Sequence, residues 1–579
     1  MRVISPRGAL ACYLMLLLAY LAGAVVAPLD GFSAGYADIA LAIHEEGKWT
    51  QLMFQNQGYP SGPPLLFWLV ALSFEIFGIS VVAYKLPSLL FSALAVYSTV
   101  RLGSILYNKT VARLAGVILA SAFAFLFANN DADMDALLIG SVVFATCQLF
   151  IFVTDENKLT ARAHLVVAGA GLALGMAARG LIGLVLPLLA VFLYLIYRLE
   201  WRRILDPFWL ALPLFVLLFA SPLLYAYHAQ FGTNGLMEFV LWLQSPEQQA
   251  VKSVGDKGRD LFFYYYTYLW AFLPWSAIAL WALASGVLRL TSDRYWPSAR
   301  GYAVTVGIVV FVFILLSLVR FSLIHYVSVL LPFLALLLAG WLPARLRHPP
   351  SLRRLWQVQY VVFVLILDAA LVANGWMFPL RNVVIGALAV ALLVLGIWGI
   401  PRWLGGAKLI TVSVCMSAVF WFLVNLNLYP SVLEYQAGSV LGDKVMERHR
   451  EKVKDIYYLE GDDLPVSFSF AIRQRVKPIS LDELAKREKE VVLFATSKVY
   501  VMLTEKRLLL SDNSTEQLEP PSLNYDISRP KWDFLNPGTR HTSERSFYSP
   551  SMREDNNNNK LRPVYLLHFK PLQTEYPQQ

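Results

Sequence analysis

The residues best equipped for chemistry stand in short polar stretches between long apolar runs. The turn "NNDADMDA" (129–136) sets Asp131, Asp133 and Asp135 at alternate positions. That spacing suits a hard divalent cation, although the glycine and the distal glutamate of an EF-hand loop are missing. Asp30 and Asp38 lie in "LDGFSAGYADIALAIHEEGKWT" (29–50), where a carboxylate with a perturbed proton affinity would be a catalytic candidate. Arg179 separates two apolar segments and carries a guanidinium that pairs bidentately with phosphate. Lys85, His325 and Tyr326 complete the set. Each has a plainer reading. Asp30 ends a span or caps the next helix, and the three aspartates of the turn cap a helix beginning near Ala136. Arg179 and Lys85 snorkel to an interface, while His325, Tyr326 and the aromatics Tyr264, Tyr265, Tyr266 and Tyr268 anchor at one.

The elements that must position these residues follow from composition. The 579 residues are 57% hydrophobic and 15% charged, far from a soluble average. Apolar runs of about 20 residues recur along residues 9–427, each long enough to cross the hydrocarbon as a self-satisfied helix. The first, Leu10 to Ala27, follows Arg2 and Arg7, lacks a convincing small-x-small cleavage site and reads as a retained anchor. Cys12, Cys147 and Cys415 all fall within apolar runs, which speaks against a disulfide framework or a cysteine zinc site.

Lysines and arginines in short loops set the orientation. Placing the clusters at Arg2/Arg7, Lys109/Arg113, Lys158/Arg162, Arg198/Arg202/Arg203, Arg289/Arg294/Arg300, Arg345/Arg347/Arg353/Arg354 and Arg402/Lys408 in the cytoplasm predicts thirteen spans. They fall near 9–27, 86–106, 113–129, 136–153, 163–178, 181–197, 207–227, 261–288, 301–319, 323–342, 356–374, 383–400 and 409–427. The N-terminus is then cytoplasmic and the C-terminus outside. Residues 63–78 read as a half-buried juxtamembrane helix. The net charge of +9 belongs to these cytoplasmic loops and does not indicate nucleic-acid binding. After Tyr429 charges become frequent; "VVLFATSKVYVML" reads as strand, "LDELAKREKE" as helix and "SMREDNNNNK" as a low-complexity tail. The expected fold is a polytopic α-helical membrane protein of about 13 transmembrane helices with juxtamembrane helices, spanning 1–429 with a first external loop at 28–85. An extracytoplasmic α+β domain follows at 430–579.

Over residues 10–340 the chain resembles the GT-C polytopic membrane glycosyltransferases, especially the lipid A aminoarabinose transferases and protein O-mannosyltransferases. "GYADIALAIHEEGKW" is similar to their Tyr-Ala-Glu-Ile-Ala helix and following Gly-x-Trp, and "GPPLLFWLVALSFEIFGISVVAYKLPS" to their Lys-Pro-Pro-Leu, Phe-Gly and Arg-Leu-Pro-Ser stretches. "DMDALLIG" resembles the second acidic loop, "GMAARGLIGLVLPLL" the Thr-Lys-Gly-Pro turn and "YYYTYLWAFLPW" an aromatic run ending in Pro-Trp. The resemblance implies a GT-C-like fold and a sugar carried on a polyprenyl phosphate, attacked at its anomeric carbon by an extracytoplasmic acceptor while the lipid phosphate leaves. A carboxylate then orients or deprotonates a hydroxyl acceptor, and cations stabilise the departing phosphate. The resemblance places Asp135 at the family's acidic position; Asp30 and Asp38 are candidate displaced carboxylates for catalysis, and Arg179, Lys85, Asp133, His325 and Tyr326 are the candidate substrate-binding residues. Partners are the lipid-linked sugar, the acceptor and membrane lipids, in the bacterial inner membrane.

The chain also departs from the family pattern. Phe32 and Ser33 stand where an Asp-Glu pair is expected, Gly62 replaces a lysine, and Arg179 replaces another. Two alternatives to an enzyme therefore stay open: a relative that has lost catalysis and serves as a lipid-binding or assembly subunit, and a transporter of lipid-linked sugars. No His-Glu-x-x-His zinc motif, phosphate-binding Gly-Lys-Ser/Thr loop or dinucleotide glycine fingerprint occurs in a suitable context. No cofactor is firmly implied, and a divalent cation stays open.

Overall fold

The computed structural model describes residues 4–28, 32–54, 57–59, 64–130, 132–244, 263–290, 300–318, 325–380, 382–398, 405–433, 437–449, 456–462, 464, 466–486, 491–496, 499, 502–503, 515–518 and 564–569. The chain divides into two compact units: residues 1–26, 60–69 and 82–427, and residues 27–59, 70–81 and 428–579.

The chain begins with nine helices: α1 (Pro6–Ala24), α2 (Phe32–Glu46), α3 (Leu65–Phe77), α4 (Val81–Leu106), α5 (Lys109–Ala120), α6 (Phe123–Phe127), α7 (Met134–Thr154), α8 (Lys158–Arg179) and α9 (Leu181–Arg198). Among the described residues nine helices of the chain are long and apolar enough to cross a membrane, and four shorter apolar helices accompany them. Helical structure occurs in the described part of each of the thirteen segments expected to span, but 323–342 is interrupted after Ser328 and two segments are broken near the middle. The segment 113–129 divides into α5 and α6, and 261–288 into Phe263–Ala271 and Ser276–Leu290.

Side chains explain these breaks, and each supports the other. Ser121 Oγ donates back to the Val117 carbonyl at 2.8 Å, a local bond that competes with continued helix. The Phe123 N–H freed by the break donates to the Leu273 carbonyl at 2.9 Å. The Trp275 indole N–H donates to Ser121 Oγ at 2.9 Å. In a hydrocarbon setting such exchange is what makes interrupted backbone tolerable.

The first and last long helices of this unit are joined by amides. Asn425 Nδ2 donates to the Ala19 carbonyl of α1 at 3.1 Å, and Asn130 Nδ2 donates to Asn425 Oδ1 at 2.8 Å. Gly23 lies so close that an added Cβ would meet Asn130 Oδ1 at 2.5 Å. Two π-helical turns, Val372–Met377 and Val424–Leu428, carry Asn374 and Asn427, which bond at 3.0 Å.

The second unit contains α2, the hairpin β1 (Met53–Phe54) and β2 (Gln57–Gly58), and the strands β3 (Ile456–Leu459), β4 (Lys477–Ile479), β5 (Val491–Thr496), β6 (Thr515–Leu518) and β7 (Val564–Phe569). The last five form one sheet in the order β4-β3-β5-β7-β6. Its β3 pairs in parallel with β4 and β5, with Tyr457 opposite Lys477 and Leu493. β7 runs antiparallel to β5 and β6. Alternation along the strands buries both faces. Ile456 and Phe494 pack with Phe468 and Ile472 on one side, and Tyr457, Leu459, Leu493 and Ala495 with Leu484 on the other. The helix Leu481–Lys486 lies within the stretch expected to be helical, and β5 opens the stretch expected as strand. The tail at 551–560 lies outside the described residues.

Candidate functional site

The acidic turn and Arg179 meet because two helices end where their charges are favoured. Asp133 is the N-cap of α7, accepting from the Met134 N–H at 2.6 Å, and Asp135 stands in its first turn. Carboxylates there complement the positive end of the helix dipole. Ala132, just before, has φ +49, a left-handed conformation that costs an L residue roughly 1–2 kcal/mol and often accompanies functional turns. Arg179 is the last residue of α8, at the end that favours cations.

Backbone geometry fixes the arginine in its turn. Gly180 follows with φ +66 and opens α9, so α8 and α9 form a hairpin with Arg179 at its apex. The two helices touch backbone to backbone: a Cβ on Gly183 would come within 2.1 Å of the Gly175 carbonyl.

At this apex Arg179 Nη2 donates to Asp133 Oδ1 at 3.2 Å and to Asp135 Oδ1 at 3.3 Å. The arginine side chain is 16% exposed and that of Asp135 11%, so the guanidinium is held among carboxylates and does not snorkel. Ser328 Oγ donates to Asp135 Oδ2 at 3.3 Å, which brings the short helix His325–Ser328 to the same carboxylate. Ser328 was not singled out from the sequence; its signal was proximity to His325 and Tyr326.

Lys85 belongs to the same unit. It is 0% exposed, and its Nζ donates to the Gly23 carbonyl at 2.8 Å, in the last turn of α1. It is a buried, hydrogen-bonded side chain that does not reach solvent.

The remaining residues divide as follows. Asp38 is 3% exposed on α2 in the second unit. Tyr326 is half-buried, and His325 has helical backbone with its side chain outside the described set. Asp30 and Asp131 lie outside the described residues. Among the described residues no group of three or more His, Cys, Asp or Glu is gathered to hold a metal ion. The expected aromatic belt is only half exposed: Tyr264 and Tyr268 are each 2% exposed, and Tyr268 donates to the Ser276 carbonyl at 2.9 Å.

Comparison with known proteins finds relatives in sequence and in fold. Residues 61–225, which hold Lys85, Asp133, Asp135 and Arg179, match the model of the dolichyl-phosphate-mannose-protein mannosyltransferase family. The undecaprenyl phosphate-alpha-4-amino-4-deoxy-L-arabinose arabinosyl transferase of Enterobacter sp. (strain 638) is 24% identical over 77% of this chain and 80% of its own length. That of Pseudomonas paraeruginosa (strain DSM 24068 / PA7) is also 24% identical, over 77% and 79%. The crystal structure of ArnT from Cupriavidus metallidurans bound to undecaprenyl phosphate superposes with a TM-score of 0.65 at 17% identity, over 85% of this chain and 93% of that one. Its apo state gives 0.60 over 86% and 94%. The chain is a multi-pass membrane protein that resembles these arabinosyl transferases in sequence and ArnT in fold, and shares one segment with the mannosyltransferase family.

Proposed function

We propose that this protein is a glycosyltransferase that moves a sugar from a polyprenyl-phosphate carrier to an extracytoplasmic acceptor, whether lipid, glycan or protein. The observation that carries the reading is the Arg179 bridge to Asp133 and Asp135, inside the segment shared with the mannosyltransferase family. Relatives named for undecaprenyl-phosphate aminoarabinose transfer support a bacterial lipid carrier of the same kind.

In this reading Asp135 is the general base. It is oriented from one side by Arg179 and from the other by Ser328, and it takes the proton of an acceptor hydroxyl as that oxygen attacks the anomeric carbon. Arg179 and Lys85 stabilise the phosphate that leaves on the lipid. Asp30 and Asp38 supply further carboxylates that orient the acceptor, Asp133 keeps Arg179 in place, and His325 and Tyr326 contact the substrate. A phosphate acceptor, already anionic, would need no base, and the absence of the family's Asp-Glu pair at Phe32 and Ser33 would then be neutral.

The finer architecture belongs to the same proposal. It comprises thirteen crossings in a bacterial inner membrane, a transmembrane domain at 1–429 with an external loop at 28–85, and an extracytoplasmic α+β domain at 430–579. The N-terminus is cytoplasmic. The deciding experiment is reconstitution of the full chain with labelled carrier sugars and extracted envelope acceptors. Transfer by wild type supports the enzyme. Carrier binding without transfer to any acceptor would assign the protein to non-catalytic lipid binding, for which Phe32, Ser33 and Gly62 already argue.

A further inference from the structure

The two acidic residues that close α2 stand where the helix's own electrostatics oppose them. Glu45 and Glu46 occupy its last turn, the end at which the dipole favours cations. Lys48 Nζ lies 3.1 Å from Glu46 Oε2 but is 57% exposed, and such a surface pair contributes little. A better-buried partner comes from the far end of the chain. Arg475 is 7% exposed; its backbone N–H donates to Glu45 Oε1 at 2.9 Å, and its guanidinium forms an ion pair with Glu46. One residue grips both carboxylates, once through its backbone and once through its side chain.

Local structure aims it there. The helix Val466–Ala471 closes in a Schellman motif, with the Gln474 N–H on the Ser469 carbonyl at 3.2 Å and the Arg473 N–H on the Phe470 carbonyl at 3.1 Å. Arg473 holds the left-handed position, φ +59, without being glycine. This reversal delivers Arg475 to α2 two residues before β4 begins. The same helix reaches α3: Phe470 stacks on Phe74 with ring centroids 6.2 Å apart. His44 Nδ1, 2.9 Å from Glu75 Oε1, ties α2 to α3 directly.

Asp38 and Glu45 are seven residues apart on α2, two helical turns, so they share one stripe of it about 10 Å apart along the axis. We propose that Arg475 is a positioning residue: the C-terminal sheet unit acts as a clamp that sets the register of α2, and with it the carboxylate of Asp38. The proposal rests on the glycosyltransferase reading, in which Asp38 orients the acceptor, and gives the C-terminal unit a task within it.

The test uses the full chain in lipid nanodiscs, with Arg475→Ala, Glu46→Gln and the charge swap Arg475→Glu/Glu46→Arg. Hydrogen exchange across residues 38–46 and the kinetics of transfer are both read. The expected result for each single variant is faster exchange in α2 and kcat lowered at least about tenfold, with undecaprenyl-phosphate affinity within about twofold, since only acceptor orientation is disturbed. The swap should restore both toward wild type. Unchanged α2 exchange in both single variants overturns the clamp, and faster exchange with unchanged kcat overturns the positioning role. Loosened α2 in a protein whose wild type transfers no sugar leaves the clamp standing and removes the transferase reading instead.

Discussion

Arg179 Nη2 lies 3.3 Å from Asp135 Oδ1 and so joins the last residue of one helix to the first turn of its neighbour. Each charge sits at the helix end that stabilises it, and burial raises the cost of removing either partner. Arg179→Ala should weaken binding of an undecaprenyl-phosphate analogue by about 1.5–3 kcal/mol, the range for a lost charged hydrogen bond. Direct binding measurements that show no change would take Arg179 out of the phosphate site.

Asp135→Asn keeps the side chain's size and leaves an oxygen able to accept from Ser328. If Asp135 is the base, transfer should fall roughly 10²–10⁴-fold while carrier binding persists. Asp133→Ala should behave differently, costing about 1 kcal/mol of stability through the lost N-cap. Robust transfer by a folded Asp135→Asn protein would move the base elsewhere, and the same substitution at Asp38 would be examined next.

Gly183→Ala should destabilise the α8–α9 hairpin by about 1–3 kcal/mol, the usual scale of overpacking, because backbone, which cannot swing aside, lies 2.1 Å from the new Cβ. Gly307→Ala is the control: nothing lies within 4 Å of its Cβ, and helix propensity should favour alanine by up to about 1 kcal/mol. Thermal unfolding in detergent distinguishes the two. Equal midpoints would mean that the hairpin contact is not close in solution.

Topology is open to cysteine labelling against a quiet background, since all three native cysteines are buried. A cysteine at position 460 should react with an impermeant reagent on intact spheroplasts, whereas one at position 109 should react only after permeabilisation. The reverse pattern would invert the orientation and the side on which Arg179 acts.

Much of the membrane-unit architecture was legible because period and charge are local. Apolar runs marked helices, and residues 63–78, read as helical, contain the helix Leu65–Phe77. The pairing of Arg179 with Asp135 was not legible as a contact, although both residues were selected. Ser328 escaped notice because it lies 193 residues from Asp135 in sequence, and no local pattern marks a serine as a carboxylate's partner. The break at Ser121 was hidden for a related reason, since a lone serine in an apolar run gives little warning, whereas the break at Leu273 had a local mark in Pro274, which cannot donate to a continuing helix. Arg473 shows the same limit on a smaller scale. A left-handed residue is normally announced by glycine or asparagine, and an arginine there gives no warning.

The hydrogen bond from the Asn425 amide to the first helix has a consequence for biogenesis. Its partners, Ala19 and Asn425, are 406 residues apart, a distance that a ribosome adding about 5–20 residues per second covers in roughly 20–80 seconds. Throughout that interval α1 is already synthesised, while the amide that will meet its Ala19 carbonyl has yet to be translated. A chain stalled or truncated before residue 425 would expose its first helix without its final neighbour and would be recognisable to quality-control proteases by that exposure. Membrane insertion can proceed helix by helix, but this closure of the bundle must wait until residue 425 has been made.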